Sequence, residues 1–195
     1  MMVKICGITN LDDALAAIDG GAGALGFNFW PGSPRHIALE NAQHIIRQLP
    51  PAVLKVGVFV DEAREKVSEM SRTAGLDVAQ LHGREAPSDF PDGVRVWKAI
   101  RVARDFNASD VDKYPGEAVL LDGPSNGVPF DWTIAARSSK RIIIAGGLDA
   151  NNVRNAIHQA RPWGVDACSR LETAPGKKDR LKMTQFIRAA LAEEP

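Results

Sequence analysis

Cys6 closes the short apolar run Val3-Lys4-Ile5-Cys6 and stands immediately before Gly7. A thiol there can serve as a general base, because its ordinary pKa of about 8.5 falls toward neutrality beside a cation or a helix N-terminus. The same pattern recurs with a carboxyl in Val119-Leu120-Leu121-Asp122-Gly123. A carboxyl ending a buried run can act as a general acid, so Cys6 and Asp122 make a candidate acid/base pair. Each residue also has a structural reading. A cysteine is one of the most buried residue types and packs as a small hydrophobe. An aspartate before a loop can cap that loop as an Asx turn, and for Asp122 alone the two readings weigh equally.

Other polar residues also follow apolar runs. Arg35, in Pro31-Gly32-Ser33-Pro34-Arg35, can clamp a carboxylate through two parallel N–H donors, or stay a solvated loop charge. His82, after Val78-Ala79-Gln80-Leu81, is either a second acid/base group or a hydrogen-bonded histidine at the rim. Gly146-Gly147 leaves backbone N–H groups unshielded, and Ser169-Arg170 follows the last apolar run. Together these suit a phosphate, although paired glycines also make ordinary tight turns. Lys4 and Lys98 fall inside apolar strands, where snorkelling or internal ion pairing is expected rather than catalysis.

These residues gain meaning from the elements that carry them. Strands are expected at Val3–Cys6, Ala24–Trp30, Val53–Val60, Val78–Leu81, Val94–Ile100, Ala118–Leu121, Arg141–Ala145 and Trp163–Ala167. Helices are expected at Leu11–Asp19 behind an Asn10 cap, then at Leu39–Leu49, Glu62–Ala74, Asn151–Gln159 and Asp179–Ala192. Weaker helical segments fall near Pro87–Pro91 and Phe106–Tyr114, both interrupted by proline or polar residues. About eight strand-then-helix units in one chain are the pattern of a compact α/β fold, the (β/α)8 or TIM barrel, with its active site at the C-terminal ends of the strands. All of the candidate residues lie at or just past those ends. The first strand is not followed by a GxGxxG turn, which argues against a dinucleotide fold.

With 195 residues, 24 Lys+Arg and 24 Asp+Glu, one domain spanning 1–195 is expected, without net charge to attract nucleic acid or an anionic membrane. The sequence has neither a membrane-length apolar run nor a signal-peptide pattern at its start, so a cytoplasmic location is expected. Two cysteines and four histidines lack metal-site spacing, and reduced thiols are expected.

Lys4-Ile5-Cys6-Gly7-Ile8-Thr9, Gly26-Phe27, Ser33-Pro34-Arg35, Val56-Gly57-Val58-Phe59-Val60, Gln80-Leu81-His82-Gly83, Leu121-Asp122, Phe130-Asp131-Trp132, Ala145-Gly146-Gly147-Leu148 and Pro175-Gly176-Lys177-Lys178-Asp179 occur in that order. In order and spacing the chain resembles the phosphoribosylanthranilate isomerases of tryptophan biosynthesis from end to end. The resemblance implies an Amadori rearrangement of N-(5-phosphoribosyl)anthranilate to 1-(2-carboxyphenylamino)-1-deoxyribulose 5-phosphate, with no metal and no cofactor. It implies Cys6 as base, Asp122 as acid, Arg35 on the anthranilate carboxylate, and Gly147 and Ser169 on the phosphate. Gly146, Arg170 and His82 are further candidates for substrate binding. A small phosphorylated substrate is then the partner, with no obligate protein partner.

The chain departs from the family pattern twice. Cys168-Ser169-Arg170 stands where a serine-glycine step is usual, and Pro124–Pro129 is shorter than the usual glycine-rich loop. Two other readings remain: a different metal-free aminoaldose isomerase, and a barrel that binds a phosphorylated ligand without turning it over. Barrel closure would make the first and last strands neighbours, so Cys6 and Cys168 are expected within reach of a disulfide.

Overall fold

The structure is a computed structural model that describes residues 1–102, 106–123 and 131–192. Eight parallel strands close into a barrel: β1 (Met2–Cys6), β2 (Ala24–Asn28), β3 (Leu54–Phe59), β4 (Val78–Leu81), β5 (Arg95–Arg101), β6 (Ala118–Asp122), β7 (Arg141–Ile144) and β8 (Gly164–Ala167). Closure comes from β1 pairing with β8 in the register Lys4↔Asp166, Ile5↔Ala167. The expected fold is therefore the observed one.

Side chains alternate between the two faces of each strand, so one residue in two points into the barrel. Ala24, Val56, Val78, Trp97, Ala99, Ala118, Leu120, Ile143 and Ala145 form the inner core. Ile5, Leu25, Phe27, Leu81, Val119, Leu121, Ile144 and Val165 belong to the outer core under the helices. Following the inner set toward the C-terminal ends leads to Cys6, Asn28, His82, Arg101 and Asp122, which turn into an open cavity. The strand period that builds the core thus also delivers the polar residues to one place.

The helices are α1 (Leu11–Asp19), α2 (Leu39–Ile46), α3 (Arg64–Ala74), α4 (Val153–Ala160) and α5 (Arg180–Leu191). Asn10 caps α1 by accepting from the Asp13 N–H at 2.8 Å, as its position implies. Asp179 caps α5 in the same way through the Leu181 and Lys182 N–H groups, so that helix begins one residue after Asp179. α2 stops at Ile46 rather than Leu49, with its last residues forming turns before Pro50-Pro51.

The repeat is less regular than the expected eight full units. Among the described residues, the connections after β4, β5 and β6 carry only 3-10 segments, at Pro87–Asp89, Ala108–Lys113 and Trp132–Arg137. Proline at the start of the first, and acidic side chains that bond back to nearby backbone N–H groups at Ala86 and Asn107, favour tight turns over a continued helix. An antiparallel hairpin, β9 (Glu172–Ala174) and β10 (Lys177–Lys178), follows β8 and was not expected. It turns through Gly176 at φ 78°, where glycine alone is unstrained.

Candidate active site

The cavity at the C-terminal ends of the strands has a volume of about 220 Å3. Its wall includes every candidate taken from the sequence: Cys6, Arg35, His82, Asp122, Gly146, Gly147, Ser169 and Arg170. Gln80, Arg101, Asp166 and Cys168 also face it, beyond the site residues expected from the sequence.

Around Cys6 the site is densely charged. The Lys4 ammonium lies inside the barrel, fully buried, and donates to Asp166 Oδ1 at 3.0 Å. Space for this arrangement comes from Gly26: a Cβ there would lie 2.8 Å from Cys6 Sγ and 3.2 Å from Lys4 Nζ. Burial works against the Lys4 charge, but the Asp166 carboxylate outweighs it and holds the ammonium above its ordinary pKa. Burial also pushes the Asp166 carboxyl up to about 7, against the pull of Lys4.

Cys6 is held well below the usual thiol range. Hydrogen bonding with the Cys168 thiol acts first; burial opposes ionisation, and the Lys4 and Lys178 ammoniums favour it, while the Cys168 S–H also has Glu172 Oε1 at 3.8 Å. Cys168 is correspondingly pushed up, since losing its proton would remove that bond and add a second negative charge in a buried place.

Lys178 reaches the thiols from the hairpin. Its Nζ donates to Glu172 Oε1 at 2.9 Å and lies 3.7 Å from Cys168 Sγ. The strand that carries it is pinned by the Lys178 N–H donating to Asp13 Oδ2 at 2.8 Å, which ties β10 to α1. Glu172 is the hub of this side. Its carboxylate takes a bidentate clamp from Arg35, with Nε at 3.0 and 3.1 Å and Nη2 at 2.7 Å. Burial would raise the Glu172 pKa, yet the two cations hold it below its ordinary value. Arg35 is therefore no free loop charge. Glu172 grips one edge of the guanidinium and leaves donors on the other edge, beside the cavity.

The opposite wall is sparser. His82 Nε2 lies 3.4 Å from Asp122 Oδ2, with the two side chains 27 % and 25 % exposed. His82 Nδ1 is 3.2 Å from Gln80 Nε2, which suits an imidazole accepting there. Behind His82, the buried pair Lys98–Glu85 at 3.0 Å organises the loop: Glu85 accepts from the Gly83 N–H, and Lys98 donates to the Gly83 carbonyl at 2.8 Å. Lys98 is thus ion-paired outside the barrel lumen, one of the roles expected for a buried lysine.

Gly146 has a role beyond a turn. At φ 91°, its absent Cβ would sit 2.5 Å from the Gly123 nitrogen and 3.0 Å from Asp122 Oδ1, so only glycine lets the end of β7 approach the carboxyl. Gly147 follows at φ 66°. Ser169 opens a 3-10 turn, Ser169–Leu171, across the rim, and Arg170 donates to Asp149 Oδ2 at 3.2 Å. The loop 124–130 lies outside the described residues. Among the described residues, no group of three or more His, Cys, Asp or Glu has the arrangement of a metal site, and no helix is long and apolar enough to cross a membrane.

A closed parallel barrel with a polar cavity at the C-terminal ends of its strands, where a thiol and a carboxyl from different strands both line the wall, defines the class: a (β/α)8 barrel with the active-site position of that fold. Residues 3–189 match the profile of the family described as N-(5'phosphoribosyl)anthranilate (PRA) isomerase. The N-(5'-phosphoribosyl)anthranilate isomerase of Solibacter usitatus is 54% identical over 98% of both chains, and that of Pelobacter propionicus is 48% identical over 96% of this chain and 94% of its own. Among solved structures, phosphoribosyl anthranilate isomerase from Thermus thermophilus superimposes with a TM-score of 0.92 at 38% identity, covering 98% of this chain and 99% of its own. Another phosphoribosyl anthranilate isomerase, solved with reduced 1-(o-carboxyphenylamino)-1-deoxyribulose 5-phosphate, superimposes at 0.87, also at 38% identity, covering 99% of this chain and 100% of its own. The chain belongs to the N-(5'-phosphoribosyl)anthranilate isomerase family, and its activity is that isomerisation, a step of tryptophan biosynthesis.

What sequence reasoning missed was mostly tertiary. Glu172 and Lys178 arrive from a hairpin with no strong local pattern. Asp166 did carry a signal: it sits two residues before Cys168 in an expected strand, hence on the same face.

Proposed function

We propose that Cys6 is the general base and Asp122 the general acid of the rearrangement of N-(5-phosphoribosyl)anthranilate to 1-(2-carboxyphenylamino)-1-deoxyribulose 5-phosphate. Asp122 gives its proton to the furanose ring oxygen, the C1–O bond breaks, and the anthranilate nitrogen lone pair forms an iminium. The Cys6 thiolate then removes the proton from C2. The electron pair of that C–H bond flows toward the iminium nitrogen, giving an enolamine that tautomerises to the ketone. Because the nitrogen is the electron sink, proton transfer alone completes the chemistry. The single observation that carries this reading is a thiol held below its usual pKa facing the same cavity as a carboxyl from the far side of the barrel.

The remaining side chains hold the substrate. Arg35, oriented by Glu172, takes the anthranilate carboxylate with the donors that Glu172 leaves free. Backbone N–H groups at Gly146 and Gly147, with Ser169 and Arg170, take the phosphate at the ends of β7 and β8. His82, against Asp122, keeps the carboxyl oriented and contacts the sugar. One barrel domain is the working unit, its partner is the small phosphorylated substrate, and the cytoplasm, which supplies such intermediates, is its location.

The test is turnover of substrate generated in situ, followed by anthranilate-type fluorescence, for the wild type beside Cys6→Ser and Asp122→Asn. Severe loss in both variants with the fold intact supports the pair. Near-normal rates in either would remove that residue from its role. Arg35→Ala separates this substrate from one lacking the carboxylate, since only the former loses affinity when the guanidinium goes.

A further inference from the structure

We propose that Cys6 and Cys168 form a reversible disulfide under a hydroperoxide, and that this bond switches the enzyme off. The switch, though not the bond, rests on Cys6 being the catalytic base.

The barrel seam makes the pair. β1 and β8 run parallel in the register Lys4↔Asp166 and Ile5↔Ala167, so Cys6 and Cys168 are the next step along the same ladder. Two residues earlier on that face, Lys4 and Asp166 touch at 3.0 Å inside the barrel, which fixes the direction of the positions that follow. Adjacent strands lie about 4.8 Å apart, inside the Cα separation that a disulfide accepts. The two thiols are side-chain neighbours: each is the first influence on the other's ionisation, and a Cβ on Gly7, next to Cys6, would be 2.9 Å from Cys168 Sγ. Neither thiol is sealed off, since both are half-buried and both line the open cavity.

The chemistry around them assigns the roles. Cys6, favoured as the thiolate, attacks one peroxide oxygen: an S–O bond forms, the O–O bond breaks, and hydroxide leaves. The product is a sulfenic acid at Cys6. Cys168 is the resolving thiol. Its sulfur attacks Cys6 Sγ, the S–S bond forms, the S–O bond breaks, and the departing hydroxide takes the Cys168 proton as water. The two thiols lose two electrons and the peroxide gains them. Lys178 Nζ, 3.7 Å from Cys168 Sγ, stabilises the thiolate that this second step requires. Thiol reductant reverses the bond by exchange.

The experiment treats wild type and Cys168→Ser with a small excess of hydrogen peroxide. It then measures activity before and after dithiothreitol and maps peptides without reduction, each protein being compared with its own untreated rate. In the wild type, activity should fall about tenfold or more and return with reductant, while the Cys6 and Cys168 peptides run linked and two hydrogens lighter. Cys168→Ser should lose activity that reductant does not restore, because an unresolved sulfenic acid goes on to the sulfinic acid. Cys168→Ala repeats the comparison if the serine variant fails to fold. Finding both thiols alkylatable after treatment, or Cys6 overoxidised with Cys168 free in the wild type, would overturn the disulfide and leave the proposed base standing. A linked protein that still turns over at its untreated rate would overturn both the switch and the role of Cys6.

Discussion

The two walls of the cavity hold the proposed base and the proposed acid in different ways. On the β1/β8 side, Cys6 sits among Lys4, Asp166, Cys168, Lys178 and Glu172, drawn from two strands and a hairpin and mostly buried. On the β4/β6 side, Asp122 has His82 at 3.4 Å, with both side chains about a quarter exposed. The difference fits the roles proposed for the two groups. A thiol needs assembled positive charge and a donor to ionise near neutrality, whereas a carboxyl that delivers a proton to a ring oxygen needs access and a fixed direction. The thiol wall is therefore a buried network sensitive to each member, and the carboxyl wall a half-open one that tolerates change.

The largest effects should come from the proposed base and acid. Cys6→Ser and Asp122→Asn should each lower kcat by about a hundred- to ten-thousandfold, the usual worth of one acid or base. Circular dichroism should show an unchanged fold for both. Cys6→Ser should also bring the Cys168 pKa down, because a neutral hydroxyl replaces the anion beside it, while Asp122→Asn leaves its surroundings as they were.

Next is Glu172→Gln. The wild-type carboxylate is 4 % exposed and compensates both Arg35 and Lys178, so removing its charge leaves two cations facing each other in a buried place. Breaking a buried pair from one side costs about 3–5 kcal/mol, which thermal unfolding would register as a marked drop in midpoint. Arg35 also loses its bidentate hold, and KM should rise more than kcat falls. Arg35→Lys is the companion, since a lysine keeps the charge but not the fork. Equal KM values for wild type and Arg35→Lys would remove the proposed carboxylate clamp.

A smaller effect is expected from Cys168→Ala, read from a pH profile rather than a single rate. The base must be ionised in the free enzyme, so kcat/KM rises with pH through the Cys6 pKa. Cys168 is the first contributor to lowering that pKa, and without its S–H donor the thiolate is less favoured. The acidic limb should move to higher pH while the rate on the alkaline plateau changes little. A limb that stays in place would mean that Lys4 and Lys178 alone set the ionisation.

How much of this was legible in the sequence differs between the walls. The strands announce themselves as apolar runs, and the residues that end them, Cys6, His82 and Asp122, needed only the barrel rule to become a site. Of the connections after β4, β5 and β6, the first two read as weak helices near Pro87–Pro91 and Phe106–Tyr114 and carry 3-10 turns there in the fold. Pro87 and acidic side chains that turn back on their own backbone mark them. The charged network was the least visible part. Lys4 finds its partner 162 residues away, and Arg35 finds Glu172 137 residues away, separations at which no local pattern operates. Lys4 nevertheless looked unusual within Val3-Lys4-Ile5, and a buried ion pair was one of its two expected fates. Arg170 was legible as a departure from the family pattern, and its contact with Asp149 puts it on the rim beside Ser169.

The subtlest prediction concerns Asp166, which separates the stability of the thiol wall from its chemistry. Burial raises its pKa from 3.8 to about 7 in the folded protein, while the unfolded chain keeps the ordinary value. Between those two values Asp166 holds more proton in the folded state than in the unfolded state, so its contribution to stability falls as pH rises from about 4 to 7 and then levels off. The contribution is fully present below the unfolded value and lost through the folded one, the reverse of a carboxylate whose pKa is depressed. Asp166→Asn cannot titrate, so its unfolding free energy should be flatter across that window, by on the order of 1 kcal/mol per pH unit relative to wild type. Urea unfolding at pH 4.5, 5.5 and 6.5 would read the slopes directly, without depending on absolute stabilities that the loss of the Lys4 partner also changes. Parallel slopes for the two proteins would mean that Lys4 holds Asp166 ionised throughout. The buried ion pair would then be a fixed support for Cys6 rather than a titrating one.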